Sequence, residues 1–261
     1  MMHISNDYLA SRAIISGMDL SKAGYDKIYF ETNENLSDMY RKIDFLDKDV
    51  LTVLASSDHF FLANYLGARK VKSFDKNILA LYYYYLRKWT LSINRETYPF
   101  ELLDNDYVWL SRLLSRVKPE NRDEDIALKL WERHLEEKSR LDLLFHENEV
   151  DGNTIFKSIN SLGSVAECEN NFRNIDLFGE VNFEEQFDIV MISNIPEWAC
   201  DDIQLTNLSQ NLYGLLKKDG IVLCSRFNNF PEKFENEKRI FEANFELFDF
   251  GKTIGHSYTK K

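Results

Sequence analysis

The chain has 261 residues, of which 44% are hydrophobic and 29% charged, enough apolar content to bury a full core. Its net charge of −11 is the reverse of what phosphate neutralisation requires, so nucleic acid is an unfavoured partner, as is an anionic membrane surface. With 4 Pro and 10 Gly there are few breaks, which favours long regular elements over a flexible string of domains.

The residues from Met1 to about Asp44 mix helical pattern with polar turns such as Thr32-Asn33-Glu34-Asn35. Val50-Leu51-Thr52-Val53-Leu54-Ala55 reads as a short strand buried on both faces, as parallel strands are. Ser56-Ser57-Asp58 supplies helix N-cap candidates, and His59–Leu66 has helical spacing that stops at Gly67, a C-cap. Val71–Asp75 is a second strand ending in an acid, and Lys76-Asn77 leads into a helix over Ile78–Trp89. Right-handed winding makes the two strands parallel neighbours. The run Tyr82-Tyr83-Tyr84-Tyr85 points in four directions on a helix, so it is not one aromatic box; most of it is expected to be core and inter-helix packing, the competing reading being one Tyr that faces a ligand.

Residues 94–150 read as an inserted helical element, expected over the carboxyl edge of the sheet as a substrate-selecting lid. Tyr107, Leu110, Leu113, Leu114 and Val117 make one amphipathic stripe, and Ile126, Leu130, Trp131, Leu135 and Leu141 another, with a break at Lys118-Pro119. After a helical stretch at Ile155–Leu162, the Phe172–Leu177 region supplies a strand end carrying Asp176. Phe187–Ser193 is the clearest strand of the second half. Leu205–Leu216 is a helix, Lys217–Gly220 a turn and Ile221–Ser225 a strand. Phe245–Phe250 and His256–Lys260 make a closing antiparallel pair. The whole is an α/β, Rossmann-like, mostly parallel sheet. Residues 1–93 hold an N-terminal helical segment and the first half of the core, and 151–261 hold the second half.

In such sheets ligands bind beyond the carboxyl ends of the strands. Asp75, about twenty residues after the first strand, is placed to accept both hydroxyls of a ribose; the competing reading is that it caps the following helix. The loop Ala55-Ser56-Ser57-Asp58 is made of small residues but contains no glycine. It offers helix N-terminal N–H groups to a carboxylate and Asp58 to an ammonium, which suits an amino-acid moiety better than a pyrophosphate. His59 is the general-base candidate, the competing reading being a structural histidine.

The run Val50–Asp58, with Gly67-Ala68-Arg69-Lys70-Val71 and Phe74-Asp75-Lys76-Asn77, resembles class I S-adenosylmethionine-dependent transferases, in a branch related to the diacylglycerol 3-amino-3-carboxypropyltransferases of betaine-lipid synthesis. Asp188–Ile195 with Trp198 is similar to that branch's fourth-strand motif, and the resemblance spans about Tyr29 to Phe227. It implies a methyltransferase-like sheet and S-adenosylmethionine as cofactor. Asp75 would bind the ribose, with Lys76 and Asn77 beside it. Ala55, Ser56, Ser57 and Asp58 would line the methionine end, Asp176 the adenine amino group, and Ser193 and Asn194 the point where the transferred group leaves. Ser193-Asn194-Ile195-Pro196-Glu197-Trp198 also echoes the Asn-Pro-Pro-aromatic motif of amino-group methyltransferases, without the first Pro; the competing reading is a turn closed by Pro196 with Trp198 buried.

Methyl transfer to a small-molecule or lipid-like acceptor is the leading expectation. Aminocarboxypropyl transfer and a non-catalytic cofactor-binding module are the alternatives. Cys168, Cys200 and Cys224 show no paired spacing and are expected to be buried structural residues. No His, Asp or Glu spacing reads as a metal site, and His134 and His146 fall on charged stretches that face solvent or a partner. No apolar run reaches spanning length and no signal-like segment opens the chain, so a cytoplasmic location is expected.

Overall fold

Parallel pairing of short apolar strands organises the computed structural model, which describes residues 42–93, 107–136, 168–225, 231–251 and 255–261. The first 41 residues, the helical stretch expected at Ile155–Leu162 and His146 lie outside these, as does the side chain of His134. The strands are β1 Asp49–Val53, β2 Lys70–Asp75, β3 Asn171–Asn174, β4 Phe187–Ser193, β5 Leu216–Cys224, β6 Phe245–Gly251 and β7 Gly255–Lys260. The helices are α1 Asp58–Tyr65, α2 Ile78–Ile93, α3 Tyr107–Leu114, α4 Arg122–Glu136, α5 Asp202–Leu215 and α6 Pro231–Phe241, with a 3₁₀ turn at Ile195–Trp198. Two compact units emerge. The described residues of one (within Leu54–Phe61 and Asn77–Glu169) are mostly helical, and those of the other (within Glu34–Val53, Leu62–Lys76 and Asn170–Lys261) carry the sheet.

In the sheet unit the strand order is β3-β2-β1-β4-β5-β7-β6. The first five strands run parallel, and β7 is antiparallel to both neighbours. Neighbours that are distant in sequence require crossovers, and β1 is the middle of the five parallel strands, where Val50–Val53 are buried as the unbroken apolar run predicts. The fold is Rossmann-like. The expected closing pair, β6 with β7, is present. Residues Lys217–Gly220 differ from expectation: they form no separate turn but are the start of β5. Leu216 pairs with Phe187, and the register then shifts before Ile189 meets Ile221, with Asp219 at φ 61° inside the irregularity. A bulge therefore takes up the residues that look like a turn.

Gly67 ends α1 at φ +86°. Its N–H bonds the Asn64 carbonyl and that of Ala68 the Ala63 carbonyl, the two bonds of a Schellman cap. Gly255 is a stricter requirement, because a Cβ there would lie 2.3 Å from the Cys224 carbonyl oxygen and φ is +131°. Gly255→Ala is expected to lower stability by about 1–3 kcal/mol through overpacking and strain; an unchanged urea midpoint would contradict the close approach of β5 and β7.

Charges gather at the amino ends of the parallel strands. Arg69 chelates Asp49 with bonds of 2.9 and 2.6 Å, and Lys217 reaches both Asp49 (2.6 Å) and Asp188 (2.9 Å). The hydrogen bonds from Arg69, then those from Lys217, hold the Asp49 carboxyl at about 2 against their opposing desolvation. A carboxyl depressed on folding contributes stability that is present above its unfolded value near 3.8 and disappears as pH falls through about 2. Urea midpoints should therefore fall over that interval, and fall less steeply in Arg69→Met; parallel curves would show that the pair does not titrate with folding.

Within the helical unit, the four tyrosines of α2 are all buried, as expected of core residues. Phe60 and Phe61 pack on Tyr84 at ring-centroid distances of 5.2 and 5.5 Å. Of the two stripes of the insertion, Tyr107 to Leu114 and Ile126 to Leu135 lie on helices, whereas Val117 follows the end of α3 and Leu141 lies outside the described residues. Leu110, Leu113 and Leu114 of α3 and Ala127, Leu130 and Trp131 of α4 are buried, and the Trp131 indole N–H donates to the Tyr82 carbonyl at 3.0 Å. Residues 94–106 and 137–167 lie outside the described residues. Of the cysteines only Cys224 is buried; Cys168 is half-buried and Cys200 exposed, which corrects the expectation for both. Cys200 opens the N-cap turn of α5, where its N–H bonds Gln204, and that position faces outward. No helix among the described residues is long and apolar enough to cross a membrane.

Candidate functional site

The sheet unit places Asp75, Lys76, Asp176, Ser193 and Asn194 at the carboxyl ends of β2, β3 and β4. Asp75 is the last residue of β2 and pairs with Asn174 of β3. The Asn174 side-chain amide donates to the backbone carbonyls of Asp75 and Lys76, both at 3.0 Å, and so fixes the chain as it leaves the strand. Asp75 is half-buried and Lys76 exposed. Asp176 follows β3, is exposed, and accepts the Phe178 N–H at 3.0 Å, a local Asx turn.

Beyond β4, Ser193 adopts φ 54°, a left-handed conformation uncommon for a non-glycine residue. Its carbonyl accepts the Ser225 N–H at 3.0 Å, which ties the end of β4 to that of β5. Asn194 begins the 3₁₀ turn at φ −94° and ψ 22°, but its side chain makes no cap bond there. The amide oxygen instead accepts the Ser193 hydroxyl at 3.2 Å. Pro196 is buried and closes the turn, yet Trp198 is 58% exposed, so the reading with a buried tryptophan does not hold. Lys233 of α6 donates to the Glu197 carbonyl and braces this turn.

Ala55, Ser56, Ser57, Asp58, His59 and Asn77 belong to the helical unit. The loop after β1 is tight: the Ser57 N–H bonds the Leu54 carbonyl at 2.5 Å, and both Ala55 (φ 39°) and Ser57 (φ 72°) are left-handed. The backbone thus takes the shape that glycine favours although no glycine is present. Ala55→Gly is expected to raise stability by about 0.5–1 kcal/mol, since relief of a left-handed Cβ outweighs the added freedom of the unfolded chain; a loss, as at an ordinary alanine, would refute the strain.

Asp58 is completely buried, and Arg87 of α2, itself 1% exposed, donates to its Oδ1 at 2.7 Å. The same guanidinium nitrogen donates to the Ser56 carbonyl, and the Ser56 hydroxyl donates to Asp58 Oδ2 at 2.7 Å. The guanidinium also lies over the Phe61 ring, 5.3 Å from its centroid. Both carboxylate oxygens of Asp58 therefore bind groups of the chain itself, which leaves an incoming ammonium poorly served. Sequence reasoning missed Arg87, which with Lys88 is the charged pair of an otherwise apolar helix, although a charge in so apolar a run was a usable signal. His59, in the first turn of α1, is 2% exposed. Asn77 is the helix cap: its Oδ1 accepts the Leu79 N–H at 3.1 Å and its carbonyl the Ala80 N–H.

No known family's sequence profile matches the chain, and no curated protein matches it. Among solved structures it is similar to the N-methyltransferase NodS of Bradyrhizobium japonicum WM9 crystallised with S-adenosyl-l-homocysteine, at 9% identity over 98% of this chain and 99% of that one, with a TM-score of 0.44. A TehB-like SAM-dependent methyltransferase from Corynebacterium glutamicum is 11% identical over 96% and 98%, with a TM-score of 0.42. The ribosomal protein L11 methylase of Lactobacillus delbrueckii subsp. bulgaricus is 15% identical over 87% and 76%, with a TM-score of 0.40. These neighbours are methyltransferases. At such scores the fold assignment rests on the strand order and direction.

Proposed function

We propose that this chain transfers a methyl group from S-adenosylmethionine to a small-molecule or lipid-like acceptor. The observation that carries this reading is Asp75: a carboxylate at the end of the strand beside β1, in a chain where the capping of α2 falls to Asn77. A carboxylate in that position accepts both hydroxyls of a ribose. Asp176, in its Asx turn, is the partner for the adenine amino group. When bound, the cofactor supplies a sulfonium whose adjacent carbons are electrophilic.

The remaining work is placement. The Asn194 amide oxygen, held by the Ser193 hydroxyl and uncommitted to capping, accepts a hydrogen from the acceptor nucleophile and aims its lone pair. His59 is the second catalytic candidate, and its burial gives it the smaller part in this reading. In this reading Ala55, Ser56 and Ser57 are the residues for the methionine end, while Asp58, bound to Arg87, shapes their loop.

Calorimetry with S-adenosylmethionine tests the shared premise, and incubation with radiolabelled cofactor and cell extract tests the reaction. S-adenosylhomocysteine as by-product supports methyl transfer. Methylthioadenosine instead would replace this reading with aminocarboxypropyl transfer. Binding without either by-product would leave a cofactor-binding module, and no binding heat would overturn all three.

A further inference from the structure

The last strand of the parallel run carries a second constellation, on the far side of β4 from the Asp75 end. Cys224 ends β5, Glu237 lies on α6 and His256 is the second residue of β7. One ligand atom from each lies within 4.8 Å of the other two, and all three side chains are buried. Cys224 and His256 are direct antiparallel partners, so they share a face of the sheet, and the Glu237 side chain, 5% exposed, lies beside them. The approach of the two strands depends on Gly255, which has no Cβ to strike the Cys224 carbonyl.

Ordinary core packing explains this arrangement poorly. The neighbours Phe234 and Tyr258 stand with their rings 5.0 Å from the imidazole, an apolar setting in which a buried acid and imidazole bring no net stability over hydrocarbon. The pair itself does not satisfy the ring. His256 Nε2 lies 2.7 Å from Glu237 Oε1, but Nδ1 is buried with no hydrogen-bond partner among the described residues.

We propose that Cys224, Glu237 and His256 form a zinc site. A thiolate, a carboxylate and a neutral imidazole are the donor set that favours this ion, and three protein ligands leave a fourth position open. The charges cancel, one thiolate and one carboxylate against a dication, so the loaded cluster is neutral and suited to burial. Around a tetrahedral zinc the ligand atoms stand roughly 3.3–3.8 Å apart. The His256–Glu237 contact therefore opens by less than about 1 Å; the thiol proton passes to solvent, and the imidazole, binding through Nε2, keeps its one proton on Nδ1. Because the three groups are enclosed, the ion enters as the chain folds, and it fastens β5, α6 and β7 to one another. Cys224 also pairs with Ser193, so the ion lies one strand from Asn194.

The test uses the full chain. Protein made in zinc-supplemented medium should hold about one zinc per chain by elemental analysis, and its melting temperature should fall when a chelator is present during refolding. Refolding with cobalt should give a thiolate-to-cobalt charge-transfer band in the near ultraviolet. Cys224→Ser should abolish the band, whereas Cys200→Ser, at the exposed cysteine, should keep it. Glu237→Gln, which preserves an acceptor for His256 while removing the charge, should lower zinc affinity by about 10–100-fold. The proposal is overturned if wild-type protein carries no stoichiometric zinc and gives no band. It is equally overturned if the band follows Cys200, or if chelator lowers the melting temperature of wild type and Cys224→Ser alike.

Discussion

Arg87→Met is expected to destabilise the protein by about 3–5 kcal/mol, the largest single-residue effect that the structure implies. The guanidinium and the Asp58 carboxylate are both withdrawn from water, at 1% and 0% exposure, and they satisfy each other at 2.7 Å. Removing the cation leaves a buried anion without its charge partner, although the Ser56 hydroxyl still donates to one oxygen. It also strips the Ser56 carbonyl of a donor and removes a flat cation from the Phe61 ring. Lysine is a poor replacement, because it lacks the planar fork that reaches carboxylate and carbonyl together. The double variant Arg87→Met/Asp58→Asn should lose distinctly less than the sum of the singles, because the uncompensated charge is then gone as well. Guanidinium unfolding of the four proteins measures this. A loss below about 1 kcal/mol for Arg87→Met would mean that water reaches Asp58.

Asp75→Ala carries the second large effect, on binding instead of folding. One hydroxyl hydrogen bond to a carboxylate contributes about 1.5–3 kcal/mol, so the dissociation constant for S-adenosylmethionine should rise at least about 10–100-fold. Stability should change little, since Asp75 is half-buried at a strand end and the strand's exit is pinned by Asn174. Asn77→Ala is the matched control. Loss of the Leu79 cap bond should lower stability by about 1 kcal/mol and leave affinity close to wild type. Calorimetric titration and thermal melts of both variants separate the roles. An unchanged constant in Asp75→Ala, with a raised one in Asn77→Ala, would exchange them.

The parts of this molecule that were legible in its sequence are those governed by local pattern. An unbroken apolar run marks β1, a glycine after a helical stretch marks the cap at Gly67, and the stripes of the insertion mark α3 and α4. Strand-end positions follow from the same periodicity, which is why Asp75 and Ser193-Asn194 could be named before any coordinates. Lys217–Gly220 was misread because a bulged strand and a turn use the same residues, and only the partner strand decides between them. Arg87 and Asp58 lie 29 residues apart, and Glu237 and His256 lie 19 apart on a helix and a strand. No spacing rule connects such pairs; the fold does so through its crossovers.

The left-handed Ala55 and Ser57 also bear on how a ligand would be met. Glycine in those positions would let the loop sample many shapes when no ligand is bound, and each binding event would have to select one of them. Ala55 and Ser57 confine the unfolded and frayed states to fewer shapes, while the buried ion pair of Arg87 and Asp58 holds the folded one. The loop behaves as a preset mould, and a ligand that meets it arrives at a surface whose entropy was surrendered during folding.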